Sequence, residues 1–285
     1  MGTANIIPGV SGGTIALMLG IYQSLIDSLK SFDKELIHLL MSLRFKKALE
    51  HIQASFLLPL LTGVLIAIFS LSKVLSYLLD NYQVWVFSFF FGLILASVPV
   101  IAKHVRPWNR ISISLGILTA TIMYLLIGLV PVRTPESYWF LFFSGALAIC
   151  TMILPGISGS FVLVLIGKYQ FILEAIKNLD FVPLGVVALG CIVGLLSFVK
   201  ILSWLMNKYP NPTMAVLTGL VLGSVRKIWP WKKTIQAIIT LKGEIIPIHE
   251  INILPSEWNG EVFFAIIFLL LGFSSAYLLN RFLEK

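Results

Sequence analysis

The sequence predicts an all-α integral membrane protein with about six full spanning helices and two broken or re-entrant helix motifs. Hydrophobic residues make up 58% of the 285 residues, charged residues only 12%, and the mean hydropathy is +0.95. A soluble domain of this size does not need so much apolar surface, whereas a bundle of membrane helices does. The two motifs are proline-glycine breaks inside strongly apolar sequence, at Pro8 and at Pro155.

The first half contains one surface segment and three candidate spans. After the first break, residues 15–29 are apolar but too short to cross a bilayer comfortably. Residues 34–55 alternate basic side chains with leucines at helical spacing, which is typical of an amphipathic helix on the cytoplasmic surface. Spans of about 20 residues are predicted at 57–79, 84–102 and 111–130.

A second pair of helices surrounds the break at Pro155. One runs from about residue 138 to the break, and the next leaves Ser158 and ends near Lys177. At 1.5 Å per residue these roughly 40 residues extend about 60 Å, which is twice the hydrocarbon thickness. They cannot be one straight span. Either both helices cross fully, or they form a re-entrant hairpin with its tip at the break.

The remaining chain is predicted to contain three further spans and one outward loop. The spans are 182–206, 212–225 and 262–280, and the loop is 242–261, which carries four glutamates against one lysine. One basic loop conflicts with this predicted topology, because the topology places its positive charges outside the cell. The residues of this loop are Arg226, Lys227, Lys232 and Lys233. The positive-inside rule concerns the overall bias, so a single exception is tolerable.

The two halves align as an internal repeat. With Pro8 placed on Pro155 the offset is 155 − 8 = 147; after the basic insert it becomes 127, and the difference of 20 is the length of that insert. Glycines, serines and lysines coincide in register, among them Gly9 with Gly156, Ser11 with Ser158, Gly63 with Gly190, and Lys73 with Lys200. Three spans separate the motif helices, and an odd number makes the repeats inverted, as in many alternating-access transporters. The predicted repeats are residues 1–130 and 131–285, and the first lacks a counterpart of 138–154.

Each motif places the start of a helix after a glycine-rich turn, and such a start is suited to bind an anion. Unpaired N–H groups and the positive end of the helix dipole lie there, and phosphate is the natural ligand. The alternative is that the breaks only kink the helices while the small residues allow tight packing, but two inverted copies favour a substrate site. The candidates are glycines that permit close approach and hydroxyl donors: Gly9, Ser11, Gly12, Gly13, Thr14, Gly156, Ser158, Gly159 and Ser160.

Two pairs of charged residues are further candidates. Lys73 and Lys200 lie inside apolar spans, where a cation is costly enough to indicate a function, although side chains that reach the interface explain them equally well. Asp27 and Glu174 are equivalent carboxylates, suited to relay protons or simply solvated near helix ends.

Composition and spacing argue against several other classes of function. Cys150 and Cys191 lie in apolar runs without CxxC or Cys/His spacing, so they predict neither a disulfide nor a metal site. The four histidines fall in loop or surface segments, and no metal or cofactor is predicted. The net charge of +8 concentrates in short loops, which suits contact with anionic membrane lipids and makes a nucleic-acid partner unfavoured.

The motif residues resemble a known family. The run from Asn5 to Thr14, the Gly20-Ile21-Tyr22 that follows it, and the echo from Pro155 to Ser160 are similar to the bacterial PopT-type polyprenyl-phosphate transporters. The resemblance covers essentially the whole chain, although members usually have more helix before the first motif. It implies a multi-pass plasma-membrane carrier that returns undecaprenyl phosphate from the outer to the inner leaflet.

The family resemblance implies the same ligand as the two helix starts, namely an anionic phosphate. Polyprenyl-phosphate lipid is the expected partner: its phosphate is held by the two motifs and crosses through the protein, while the tail stays in lipid. The expected counter-charges for the phosphate are Lys73, Lys200 or Arg226, with Asp27 or Glu174 as the place to look for proton coupling. The sequence leaves room for a homo-oligomer.

Two rival functions remain open at this stage. Undecaprenyl-pyrophosphate phosphatases resemble the chain in their inverted Pro-Gly motifs, but they carry arginine beside the motif serine together with acidic and histidine groups for hydrolysis. Here Gly12 and Gly159 follow Ser11 and Ser158, and no histidine lies in a span, so an enzyme is not expected. The second rival is a transporter for a small soluble anion.

Overall fold

The computed structural model describes residues 1–132, 134–239, 245–255 and 257–283. They form an almost wholly helical protein, as the composition predicts, with one short hairpin of strands in the second half. The helices of the first half are α1 (Gly2–Ile6), α2 (Gly12–Met18), α3 (Tyr22–Lys30), α4 (Lys34–Met41), α5 (Phe45–His51), α6 (Ala54–Ala102) and α7 (Arg110–Ile127). The second half contains α8 (Tyr138–Ile153), α9 (Gly159–Leu165), α10 (Tyr169–Lys177), α11 (Phe181–Lys208), α12 (Pro210–Ser224), a 3-10 turn (Val225–Ile228), β1 (Lys232–Ile239), β2 (Ile245–Asn252) and α13 (Gly260–Leu283).

Among the described residues, four helices are long and apolar enough to cross a membrane: α6, α7, α11 and α13. The helices α9 and α10 pass the same test together but bend by 105° at the break between them, as a broken span or a re-entrant loop would. Helix α8 is apolar but shorter, with 16 residues. The structure therefore supports four or five candidate spans, and the figure of about six stays a prediction.

Helix α6 covers two of the spans that the sequence predicts. Its 49 residues would extend roughly 74 Å if straight, more than twice the thickness of a hydrocarbon core. A break at Tyr82, with φ −137° and ψ 39°, divides it into two helices. The same backbone shape separates α11 from α12 at Tyr209, where φ is −132° and ψ is 60°.

The helices of the two halves begin and end at positions separated by the same offsets as the sequence repeat. Helices α2 and α9 are 147 residues apart at both ends, and so are α3 and α10. Tyr82 and Tyr209 are 127 residues apart. The end of α1 at Ile6 also lies 147 residues before the end of α8 at Ile153. The first half thus contains a short helix at the position of the last residues of α8, where the sequence alone predicts no counterpart.

Glycines bring the long helices into close contact in pairs. Gly190 of α11 lies directly against the Phe142 carbonyl of α8, and Gly219 of α12 lies against Gly116 of α7. Gly92 of α6 contacts the Leu269 carbonyl of α13 in the same way. A Cβ at any of these positions would collide with backbone, so the small-residue packing common between membrane helices sets these contacts.

Two segments differ in detail from the sequence-based picture. The amphipathic insert is two short helices, α4 and α5, because Leu43 between them has a positive φ of 53°. Several of its apolar side chains, among them Met41 and Phe45, are exposed, as expected of a segment that lies on a membrane surface. The predicted outward loop 242–261 contains β2, which pairs antiparallel with β1. Residues 240–244 and 256 lie outside the described residues.

Candidate anion site between the two motifs

The two motifs lie in direct contact. The backbone N–H of Gly156 donates to Thr14 Oγ1 at 2.9 Å, and Ser11 Oγ donates to the Leu154 carbonyl at 3.4 Å. Tyr22, the first residue of α3, donates its hydroxyl to the Ile153 carbonyl at 3.2 Å. The start of α2 therefore contacts the turn that leads into α9, although α2 and α9 are 147 residues apart in the chain.

The first motif is closed. The N–H of Gly12 donates to Asn5 Oδ1 at 2.7 Å, and the N–H of Gly13 donates to Ser11 Oγ at 3.1 Å. The N–H of Thr14 donates to the Ser11 carbonyl at 3.1 Å. Ser11 is only 3% exposed. Because the protein itself pairs these three N–H groups, the start of α2 offers none of them to a ligand in this conformation.

The second motif is more open. Ser158 Oγ accepts the N–H of Phe161 at 3.2 Å and lies 3.2 Å from Ser160 Oγ, and the Ser160 side chain is exposed. Within the described chain, the N–H groups of Gly159 and Ser160 have no hydrogen-bond partner. Unpaired N–H groups and hydroxyls in the first turn of a helix are the donors that an anion requires. In this conformation the second motif can therefore bind an anion through these donors, whereas the first motif cannot.

A basic pocket adjoins both motifs. Lys227, in the 3-10 turn after α12, lies against Gly9, where a Cβ would come within 2.6 Å of its Cγ, and its Nζ is 5.4 Å from the centre of the Phe161 ring of α9. Arg226 stacks on Tyr124, with 4.4 Å between guanidinium carbon and ring centre, and donates to the Tyr124 carbonyl at 2.7 Å. The pocket walls are Ile127, Leu129, Phe161, Arg226, Lys227, Lys232, Glu250 and Asn252.

One carboxylate balances two of the three cations in this pocket. Glu250 Oε2 lies 3.2 Å from Lys227 Nζ and 3.4 Å from Lys232 Nζ. The Lys232 side chain is 6% exposed, and burial lowers its pKa to about 8, although the charge of Glu250 opposes that shift. With Arg226 included, the pocket carries three positive charges and one negative charge.

An apolar groove of about 400 Å³ continues from the basic pocket, with which it shares Arg226 and Asn252. Its volume lies within the range of about 300–1,000 Å³ that small-molecule sites occupy. The other lining residues are mostly apolar or aromatic: Phe91, Tyr124, Leu222, Val225, Trp229, Ile253 and Leu254. Basic pocket and groove together present one charged end and one apolar end.

The structure does not bring all the predicted site residues together. Arg226 lies in the basic pocket, but Lys73 and Lys200 lie on exposed surfaces of α6 and α11 and make no described contact with either motif. Asp27 accepts from Gln23 Nε2 at 3.0 and 3.1 Å and lies 3.5 Å from the Ser203 hydroxyl of α11, so it links α3 to α11.

Three functional candidates escaped the sequence-based prediction. They are Lys227, Lys232 and Glu250, which meet only because the 3-10 turn and the hairpin come together beside Phe161 of α9. A signal was present: the basic loop that contradicted the predicted threading contains both lysines. Lys168 was also missed; it is 1% exposed and donates to the Thr134 carbonyl at 2.8 Å.

One histidine lies beside two carboxylates, although the histidines predict no metal site. The ligand atoms of Asp33, Glu35 and His51 lie within 4.8 Å of one another. Asp33 also accepts the N–H groups of Leu36 and Glu35, and its hydrogen bonds, the one from Leu36 foremost, lower the pKa of its carboxyl. Capping of α4 therefore accounts for the position of this carboxylate.

Comparison with known proteins identifies the family of this chain. Residues 1–246 match the VCA0040-like family, described as undecaprenyl phosphate translocase-like. A protein of Vibrio cholerae named polyprenyl-phosphate transporter is 38% identical over 292 residues, which cover 100% of this chain and 94% of that protein. A Staphylococcus aureus protein of the same name is 32% identical over 248 residues, covering 81% of this chain and 83% of that protein. No solved structure matches the chain significantly.

Proposed function

Because this chain belongs to the undecaprenyl phosphate translocase-like family, we propose that it returns undecaprenyl phosphate from the outer to the inner leaflet of a bacterial plasma membrane. The observation that carries the proposal is the basic pocket, which adjoins both motifs and opens into an apolar groove. A polyprenyl phosphate has the same two parts, an anionic head and an apolar tail. The names of the two relatives support the same class of substrate.

The phosphate binds at the second motif in the conformation described. The free N–H groups of Gly159 and Ser160 and the hydroxyls of Ser158 and Ser160 supply hydrogen bonds, and Arg226 supplies charge. Charge-assisted hydrogen bonds to phosphate are roughly twice as strong as neutral ones, so this combination favours a phosphate ester over a neutral lipid head. The groove holds the first isoprenyl units, and the rest of the tail stays in the membrane.

The first motif takes part in the other half of the transport cycle. The two repeats, residues 1–130 and 131–285, act as inverted units, and the exchange of open and closed motifs moves the phosphate between the leaflets. Unequal burial supports this: Ile26 of α3 is 0% exposed, whereas its repeat counterpart Leu173 of α10 is 40% exposed. When the cycle reverses, Gly9, Gly12, Gly13 and the Ser11 and Thr14 hydroxyls become the donors, and the Gly156 turn closes.

Proton coupling is assigned to the pair of repeat-related carboxylates. Asp27 of α3 accepts from Gln23 of the same helix and from Ser203 of α11, while Glu174 on the open α10 is half-buried and has no described partner. The closed side thus holds its carboxylate in hydrogen bonds and the open side releases it. Lys73 and Lys200, on exposed helix faces, serve as interfacial anchors in this scheme and not as phosphate ligands.

The names of the relatives favour a carrier over an enzyme. A phosphatase would release inorganic phosphate from undecaprenyl diphosphate, and purified protein is expected to release none. A carrier for a small soluble anion would move that anion into liposomes free of polyprenyl phosphate, and no such uptake is expected.

The decisive experiment is leaflet-resolved detection of undecaprenyl phosphate in proteoliposomes. The parent protein should move the lipid, and Ser158→Ala should slow that movement several-fold because Ser158 caps the open helix and adjoins the free donors. Ser11→Ala should also slow it, since Ser11 takes the same part in the opposite state. Arg226→Gln is expected to be slower than either, and unchanged movement in all three variants would refute the site.

A further inference from the structure

We infer that Lys227 and Lys232 form a phosphate subsite, and that the Glu250 carboxylate occupies this subsite until the phosphate of the substrate displaces it. The inference rests on the proposed function and deepens it, because it names an internal anion that competes with the transported one. Glu250 belongs to the hairpin, and nothing in the motif sequences points to it.

The geometry is that of an anion held between two cations. A single oxygen, Glu250 Oε2, lies within 3.4 Å of both ammonium groups. The Glu250 side chain is 12% exposed and that of Lys232 is 6% exposed, so water contributes little to solvating either charge. A phosphate oxygen makes the same pair of charge-assisted contacts at the same distances.

The pocket has no room for both anions. The space left beside Glu250 is about 20 Å³, which is enough for about one water molecule and too small for a phosphate group. A phosphate can reach the two lysines only if the carboxylate moves out. Exchange of one anion for another leaves neither the buried Lys232 ammonium nor the partly buried Lys227 ammonium unpaired, whereas an empty subsite would leave both without a counter-charge.

The subsite lies next to both motifs, so the exchange of Glu250 for phosphate can affect both of them. Lys227 reaches from the 3-10 turn to Gly9 of the first motif and to Phe161, which directly follows the second motif in α9, while its ammonium binds Glu250 of β2. Displacement of Glu250 breaks this ion pair between the turn and the hairpin. The return of the carboxylate then helps expel the phosphate, and a carrier needs such a step because it must bind its substrate weakly enough to release it.

Binding to the purified protein tests the inference, with farnesyl phosphate as a short polyprenyl phosphate probe, inorganic phosphate as the soluble probe and farnesol as the uncharged one. Glu250→Gln removes the competing charge and should bind farnesyl phosphate about tenfold tighter, which corresponds to about 1.4 kcal/mol. Inorganic phosphate should gain affinity as well, whereas farnesol should not. Glu257→Gln, an exposed change of the same charge, is the control and should leave all three affinities unchanged.

Two further variants keep the test independent of folding. Glu250→Asp shortens the side chain by one methylene and should give an intermediate affinity, and Lys232→Gln should weaken binding of farnesyl phosphate at least tenfold. Equal or weaker binding by a folded Glu250→Gln protein, or an equal gain for farnesol, would overturn the inference. If the parent bound none of the probes, or bound inorganic phosphate as tightly as farnesyl phosphate, the proposed lipid substrate would be wrong instead.

Discussion

The hydrogen bond from the Gly156 N–H to Thr14 Oγ1 is a direct link between the two motifs, and its removal has a calculable cost. The bond is 2.9 Å long, and Thr14 is fully buried. Thr14→Val keeps the shape of the side chain but leaves the Gly156 N–H without an acceptor. A buried donor that loses its partner costs about 1–3 kcal/mol, so the free energy of unfolding should fall by that amount.

Thermal unfolding in detergent, followed by tryptophan fluorescence, measures this loss. At roughly 2–4 °C for each kcal/mol, the apparent melting temperature of Thr14→Val should fall by about 2–12 °C. Thr14→Ser keeps the acceptor oxygen and loses only a methyl group, so it should recover most of the loss. Thr151→Val is the matched control, because the Thr151 hydroxyl donates only to carbonyls of its own helix, α8, at 2.9 and 3.0 Å.

Comparison of the three variants shows whether the hydrogen bond between Gly156 and Thr14 is the source of the stability. If Thr14→Val and Thr151→Val lowered the melting temperature equally, removal of a hydroxyl would by itself explain the result. The hydrogen bond between the motifs would then make no special contribution to stability. Failure of Thr14→Ser to recover stability would point to packing of the methyl group instead of the hydrogen bond.

Two other predictions concern the same region. Phosphate binding should weaken as the pH rises through about 8, because Lys232 loses its charge there; a Lys232→Arg protein, which stays charged, should keep its affinity to pH 9 in the same titration. Gly156→Ala should melt below Gly20→Ala, since both glycines have positive φ, 85° and 70°, but only at Gly156 would the Cβ meet backbone, 2.8 Å from the Leu220 carbonyl. Equal melting of the two alanine variants would show that strain in φ alone sets the cost, at about 1–2 kcal/mol.

The helix bounds could be predicted because proline, glycine and serine residues within an apolar sequence strongly indicate where helices end and begin. Pro8 and Pro155 end helices, Ser11 and Ser158 cap the helices that follow, and the predicted gap between residues 79 and 84 contains the observed break at Tyr82. Each of these signals acts within a few residues, so reading the sequence locally suffices. Strand β2 was missed because it lies in the segment 242–261, which its charge classed as an outward loop, and β1 because it begins in the basic loop at Lys232.

The basic pocket could not be predicted in the same way. Whether a lysine lies on a lipid-facing or a buried surface depends on which neighbour its helix packs against, and Lys73 and Lys200 proved to be exposed. Lys227 became a site candidate through contact with Gly9, more than 200 positions earlier in the chain. Contacts of that kind follow from tertiary packing, and the trace of them in the sequence was a basic loop that the predicted topology placed against the positive-inside rule.

The two motifs share local geometry but not surroundings, and that difference constrains the transport cycle. Gly9 and Gly156 have φ of 89° and 85°, and a serine caps the helix after each. Sequence therefore sets the local shape of both motifs. The surroundings differ, because Asn5 of α1 pairs the Gly12 N–H of the first motif, whereas the equivalent Gly159 N–H of the second has no such partner among the described residues. Since neither motif needs to refold locally to adopt the environment of the other, we expect the exchange to proceed by movement of α2–α3 and α9–α10 as rigid units. Cross-linking of α3 to α11 through a cysteine pair should then abolish transport while phosphate binding at the second motif persists; loss of both would mean that the two sides are not independent.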